Sequence, residues 1–259
     1  MLTTFVSNVG GPFFWPFAGW LVLVGVVQVA GPFILISAGE EEISSSLAGI
    51  LVAAAPLFTA VLAIWVDHEE RSQGLRLVGV LIGLAGVGLL LGVDLGGGGS
   101  ELLGGLAVVL AALGYAIGGL LVKHRLAGMA PVGMSGLVMA ASAFILLPVA
   151  LATPPGSFPG LGPIAAVATL GVLGTGVAFV IFYWLISTVG PARTLIVTYV
   201  APGFAIIYGG LLLSEEISAA TIAGLAMILA GSWLSAEGRL PGRRRLGPGE
   251  RLAASELPQ

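Results

Sequence analysis

Cysteine is absent from the 259 residues, which excludes disulfides, thiolate metal sites and cysteine nucleophiles together. Charge is scarce: Asp, Glu, Lys and Arg make up 9% of the chain, against about a quarter in a soluble domain. There are only two histidines, His68 and His124, each beside charged residues in what reads as a loop, and no His/Glu cluster has metal-ligand spacing. Neither an HExxH nor a GxSxG pattern occurs, so no nucleophile–base or metal-binding constellation supports an enzyme. The glycine run 96–99 lacks the lysine of a phosphate-binding loop and reads as a flexible link. The first sixteen residues lack both a basic start and a small-residue cleavage site and do not look like a signal peptide. No cofactor and no nucleic-acid partner is indicated.

What fills the chain instead is apolar. Hydrophobic residues make up 57% and the mean hydropathy is +1.07. Apolar stretches of roughly 18 or more residues recur, each long enough to cross ~30 Å of hydrocarbon at ~1.5 Å per residue. About eight can be placed: 17–38, 47–66, 75–93, 102–122, 131–152, 164–187, 194–214 and 219–236. Long unbroken runs fit helices and not barrel strands, which alternate with period two. The expected fold class is an all-α polytopic membrane protein with the lipid bilayer as its solvent.

Charge sets the expected orientation. With a cytoplasmic N-terminus and eight crossings, the inside loops and tail carry Arg71, Arg76, Lys123, Arg125, Arg193, Arg239, Arg243, Arg244, Arg245 and Arg251, which are all 10 basic residues. The outside loops carry Glu40, Glu41, Glu42, Asp94, Glu101, Glu215 and Glu216. The excess of Lys and Arg on one side marks the cytoplasm, so both termini are expected there, in a multi-pass inner (plasma) membrane protein.

The chain also repeats. Ala55-Pro56-Leu57-Phe58 and Glu69-Glu70 recur as Ala201-Pro202-Gly203-Phe204 and Glu215-Glu216, at a constant offset of 146. Glycine-rich apolar stretches follow both, around Gly79–Gly86 and Gly224–Gly231, and Leu35-Ile36-Ser37 answers Leu185-Ile186-Ser187. Under the charge-based orientation the two copies run in opposite directions. That is an inverted repeat, the arrangement in which two halves of a transporter rock about a central site.

These residues resemble the EamA-type branch of the drug/metabolite transporter superfamily. Ile43-Ser44-Ser45-Ser46-Leu47-Ala48-Gly49-Ile50-Leu51 through Ala55-Pro56-Leu57-Phe58-Thr59 resembles the start of the family's fourth helix. Gly190-Pro191-Ala192-Arg193, Tyr199-Val200-Ala201-Pro202 and Glu215-Glu216 resemble its ninth. The resemblance implies ten helices in two inverted five-helix units. Only one span precedes the Pro56 helix, where the family pattern has three, so the first two helices are expected to be missing and Met1 need not be the true start. The implied organisation is a cytoplasmic segment 1–16, a partial first repeat of three helices at 17–93, a Gly-rich linker at 94–101, a second repeat of five helices at 102–236, and a basic, disordered cytoplasmic tail at 237–259.

No charged residue falls at the middle of a span, where burial would cost a few kcal/mol. That argues against a carboxylate-coupled mechanism and against strongly anionic substrates. The candidate substrate-binding residues are polar and aromatic: Gln28, Ser37, Tyr115, Tyr183, Trp184, Thr198 and Tyr199. Gln28 leads, as the most polar group inside any span. Pro56 and Pro202 are candidate hinges, since each removes a backbone donor and kinks a helix. The expected function is secondary transport, by alternating access, of a small organic metabolite such as an amino acid or an amphipathic or aromatic compound, moved by export or exchange. The alternative is a truncated remnant that inserts without transporting. The glycine pairs Gly79/Gly83 and Gly114/Gly118 let helices approach closely, within one chain or in a homodimer.

Overall fold

A computed structural model describes residues 15–66, 74–94, 99–154, 156–194, 200–215 and 217–237. Among the described residues, six helices are long and apolar enough to cross a membrane: α1 (Pro16–Gly39), α2 (Ser45–Ala63), α3 (Leu75–Gly92), α4 (Gly99–Arg125), α5 (Pro131–Ala152) and α6 (Leu161–Val189). Two shorter apolar helices follow, α7 (Val200–Leu212) and α8 (Ala219–Glu237). No strand occurs among the described residues, and the protein is an all-α polytopic membrane protein. Helix α4 begins at Gly99, within the glycine run.

Contacts of charged residues mark the two ends of the bundle. Arg125 lies over the Trp20 ring at 4.6 Å, which brings the start of α1 to the end of α4. At the opposite end, Glu215 reaches the first turn of α2, and Gly104 meets Glu42. These are called the basic end and the acidic end below.

Without water inside a bilayer, helices associate through close packing, and small residues allow it. The α3–α8 pair shows this. A Cβ on Gly79 would sit 2.6 Å from the Gly231 carbonyl, and one on Gly86 would sit 2.9 Å from the Gly224 carbonyl. Gly114 and Gly118 of α4 are filled in the same way by α1: a Cβ at Gly114 would meet the Val27 carbonyl at 2.5 Å. Both glycine pairs therefore serve contacts inside the chain.

Two spans depart from the regular α-helix near a proline. In α1 the turn Gly25–Ala30 is a π-helix, and the Gly31 N–H bonds the Val26 carbonyl, just before Pro32. In α2 the helix opens at Ala53–Ala54, immediately before Pro56. There Ala53 and Ala54 donate to Ile50 and Leu51, and Leu57 donates to Ala54. These i to i−3 bonds tighten the turn where Pro56 has no N–H to give and its ring crowds the preceding turn. Pro202 sits in the first turn of α7 as described, and residues 195–199 lie outside the described residues.

Candidate functional site

Gln28, in the π-turn of α1, is a fully buried polar side chain at 0% exposure. It fits because α4 offers no side chain at the facing position: a Cβ on Gly118 would lie 2.5 Å from the Gln28 Cβ. The Gln28 Oε1 accepts a hydrogen bond from the Tyr183 hydroxyl at 3.2 Å. The Gln28 Nε2 has no partner among the described residues. An unmade hydrogen bond on a buried group costs about 1–3 kcal/mol, and such groups in folded proteins call for an explanation. Here the amide lies against the Tyr183 hydroxyl and holds two donors ready for an acceptor.

Tyr183, also 0% exposed, comes from α6 within an aromatic set spaced i, i+3, i+4. Its ring lies 5.6 Å from Phe179 and 5.8 Å from Phe182. Phe182 in turn packs with Tyr115, Phe58, Ala55 and Ala112. Tyr115 and Gly118 are three residues apart on α4 and therefore share a face. Gln28, Tyr183 and Tyr115 thus line one region, bounded by the π-turn of α1 and the Pro56 break of α2. Ser142 of α5 donates to the Gly25 carbonyl at 3.1 Å, tying down the start of that π-turn.

Two cavities open beside this region at the basic end. One, of about 380 Å³, has Tyr183 in its wall together with Met129, Met134, Ile186, Ser187 and Gly190. The other, of about 510 Å³, is lined by Trp20, Leu62, Ile117, Leu121, His124 and Arg125. His124 lies in the last turn of α4, where a loop was expected. No group of three acidic or histidine side chains able to hold a metal occurs among the described residues.

The remaining candidates are not gathered here. Ser37 is exposed near the acidic end of α1. Trp184 is 55% exposed, on the side of α6 away from its neighbour Tyr183. Thr198 and Tyr199 lie outside the described residues. Sequence reading missed Phe58, Phe179 and Phe182, although the spacing of Phe179, Phe182 and Tyr183 was a usable signal for one helix face. It also took Gly118 for general packing, where its specific role is to make room for Gln28.

Comparison with known proteins agrees with this architecture. The profile of the EamA-like transporter family matches residues 2–92 and 102–236. An uncharacterized transporter of Synechocystis sp. is 26% identical over 237 residues, spanning 85% of this chain and 72% of the relative. The uncharacterized inner membrane transporter YedA of Escherichia coli K12 is 28% identical over 202 residues, spanning 76% of this chain and 63% of YedA. A solved crystal structure superposes with a TM-score of 0.59 at 19% identity, over 90% of this chain and 91% of that one, which supports the fold alone. The chain belongs to the EamA-like transporter family and is a membrane transporter.

Proposed function

We propose that the protein is a secondary transporter that moves a small amphipathic or aromatic metabolite, or an amino acid, by alternating access across the inner (plasma) membrane. The observation that carries this reading is the Gln28 amide: buried, hydrogen-bonded on one side to Tyr183, and left with a donor that has no partner among the described residues. A substrate carbonyl or carboxylate would accept from Nε2, and an apolar or aromatic body would pack on Tyr115, Phe58 and Phe182. Without a buried cation, the site favours substrates whose net charge is small.

The basic end is assigned to the cytoplasm by its Lys and Arg residues. The Pro56 break and its repeat partner Pro202 supply the hinges, because carbonyls freed near a proline tolerate rearrangement. Ser37 and Trp184 are left out of the site because both are exposed. A competing reading, a family member that inserts without transporting, draws on α6, whose most apolar window is 0% buried. Counterflow of labelled phenylalanine and a panel of aromatic acids in proteoliposomes separates the two. Saturable exchange supports transport, and uniform inactivity across the panel supports the competing reading.

A further inference from the structure

The first turn of α2 is held from the far half of the chain. Ser44 is its N-cap, and its hydroxyl accepts from the Leu47 N–H at 3.2 Å. The next two free donors, the N–H groups of Ser45 and Ser46, both bond the Glu215 carboxylate, one to each oxygen, at 3.0 Å each. These are among the donors that a helix start leaves unpaired, and a carboxylate there also meets the positive end of the helix dipole.

The surroundings are built to bring Glu215 to this place. Ser214 adopts a positive φ of 55°, a conformation uncommon outside glycine, and this turns the chain so that the Glu215 N–H bonds the Gly209 carbonyl at 3.0 Å. Gly209 leaves no room for a side chain, since a Cβ would strike both Ser46 Oγ and the Glu215 carboxylate. The Ser46 hydroxyl donates to the Ala205 carbonyl at 3.0 Å, and a Cβ on Gly49 would lie 2.6 Å from the Ala205 Cβ. Among the described residues, α7 is otherwise mostly exposed, with only Pro202 and Gly209 buried. Its attachment to the bundle therefore runs largely through this junction.

The opposite end is constructed differently. The helical turn that starts at Pro191 lies 146 residues beyond Ser45, the offset of the repeat. Its preceding residue is Gly190, which has no hydroxyl to cap with, and Pro191 has no N–H to donate. The inverted copy thus lacks one of the two donors that hold Glu215, as well as the serine cap. Both cavities open at that end.

Building on the transporter reading, we propose that Glu215 is a latch that holds the acidic end of the protein closed by joining the start of α2 to α7. Its release is the step that exposes the central site on that side, and the weaker construction at Pro191 makes closure at the acidic end the resting state.

The native chain has no cysteine, so introduced thiols report without background. In proteoliposomes, oxidising the double variant Ser46→Cys/Gly209→Cys should lower phenylalanine counterflow at least about tenfold, with recovery on reduction. A cross-linked chain that exchanges at the reduced rate overturns the proposal. Because Gly209→Cys is crowded, a second measurement uses no change there. Thr59, fully buried in α2, is replaced by cysteine and labelled from the acidic side with a membrane-impermeant reagent. Adding Glu215→Gln, which removes the charge and one acceptor oxygen, should raise the labelling rate about tenfold, and Glu215→Asp should raise it less. Unchanged labelling overturns the latch. Faster labelling in a protein that exchanges none of the tested compounds supports the latch and removes the proposed substrate class instead.

Discussion

Helices α1 and α6 share local features and differ in what surrounds them. Both carry a π-turn, Gly25–Ala30 in α1 and Leu170–Val177 in α6, and both contain the Leu-Ile-Ser triplet of the repeat. In α1, 39% of the most apolar window is buried, whereas in α6 none of it is. The cause is the partners. Gly114 and Gly118 of α4 receive Val27, Pro32 and Gln28 of α1, and Ser142 of α5 bonds the Gly25 carbonyl. In α6, Gly171 has nothing within 4 Å of where its Cβ would lie, and contacts to the core begin only at the Phe179–Tyr183 stretch. The same local pattern is packed where helices press against it and exposed where they do not.

The largest effect expected from this contrast is steric. Gly118→Val should drive a methyl group into Gln28 and cost about 1–3 kcal/mol, seen as a lowered melting temperature in detergent. Gly171→Val in α6 should stay within about 0.5 kcal/mol. Equal losses in both would erase the distinction between the helices.

Next in size is the hinge. Pro56→Ala restores a helix donor at the Ala53–Ala54 break and should slow turnover several-fold, on the order of 1 kcal/mol in barrier, while substrate affinity holds. A parallel loss of affinity would place Pro56 in the binding wall instead.

A smaller and oppositely signed effect is expected from the orphan amide itself. Gln28→Leu removes the unpaired donor, so thermal stability should hold or rise by about 1 kcal/mol, even though the Tyr183 hydroxyl loses its acceptor. A clear fall in stability would mean that the amide is a structural tie and not a vacancy kept for a ligand. Least of all should follow from Trp184→Ala on the exposed side of α6: counterflow within about twofold of the parent, as for surface substitutions generally.

Hydropathy alone made the spans legible. Six of them appear as long helices and the last two as shorter ones, because a bilayer demands ~20 apolar residues per crossing whatever the packing. The Pro56 break was legible for a local reason, the missing N–H. The inward faces were not. A helix that is apolar all round gives no stripe to show which side meets protein and which meets lipid. Tyr183 and Trp184 are adjacent in sequence and equally plausible as lining residues, yet one is 0% and the other 55% exposed. Ser37 failed as a cavity residue for the same reason. Gln28 stands out in the sequence as the most polar group inside any span, but the glycine that accommodates it lies on another helix, 90 residues away. The Glu215 contact with Ser45 and Ser46 was hidden too, since a repeated Glu-Glu pair reads as a solvated loop until the fold brings a helix start beside it.

The central claim is that the Gln28 amide receives the polar group of the substrate. Phenylalanine counterflow in proteoliposomes, compared between the parent chain and Gln28→Ala at matched insertion, tests it most directly. The expected rate is lowered at least about tenfold, the worth of one buried hydrogen bond, in a variant that still folds and inserts. Exchange at the parent rate would contradict it and place the substrate elsewhere in the bundle.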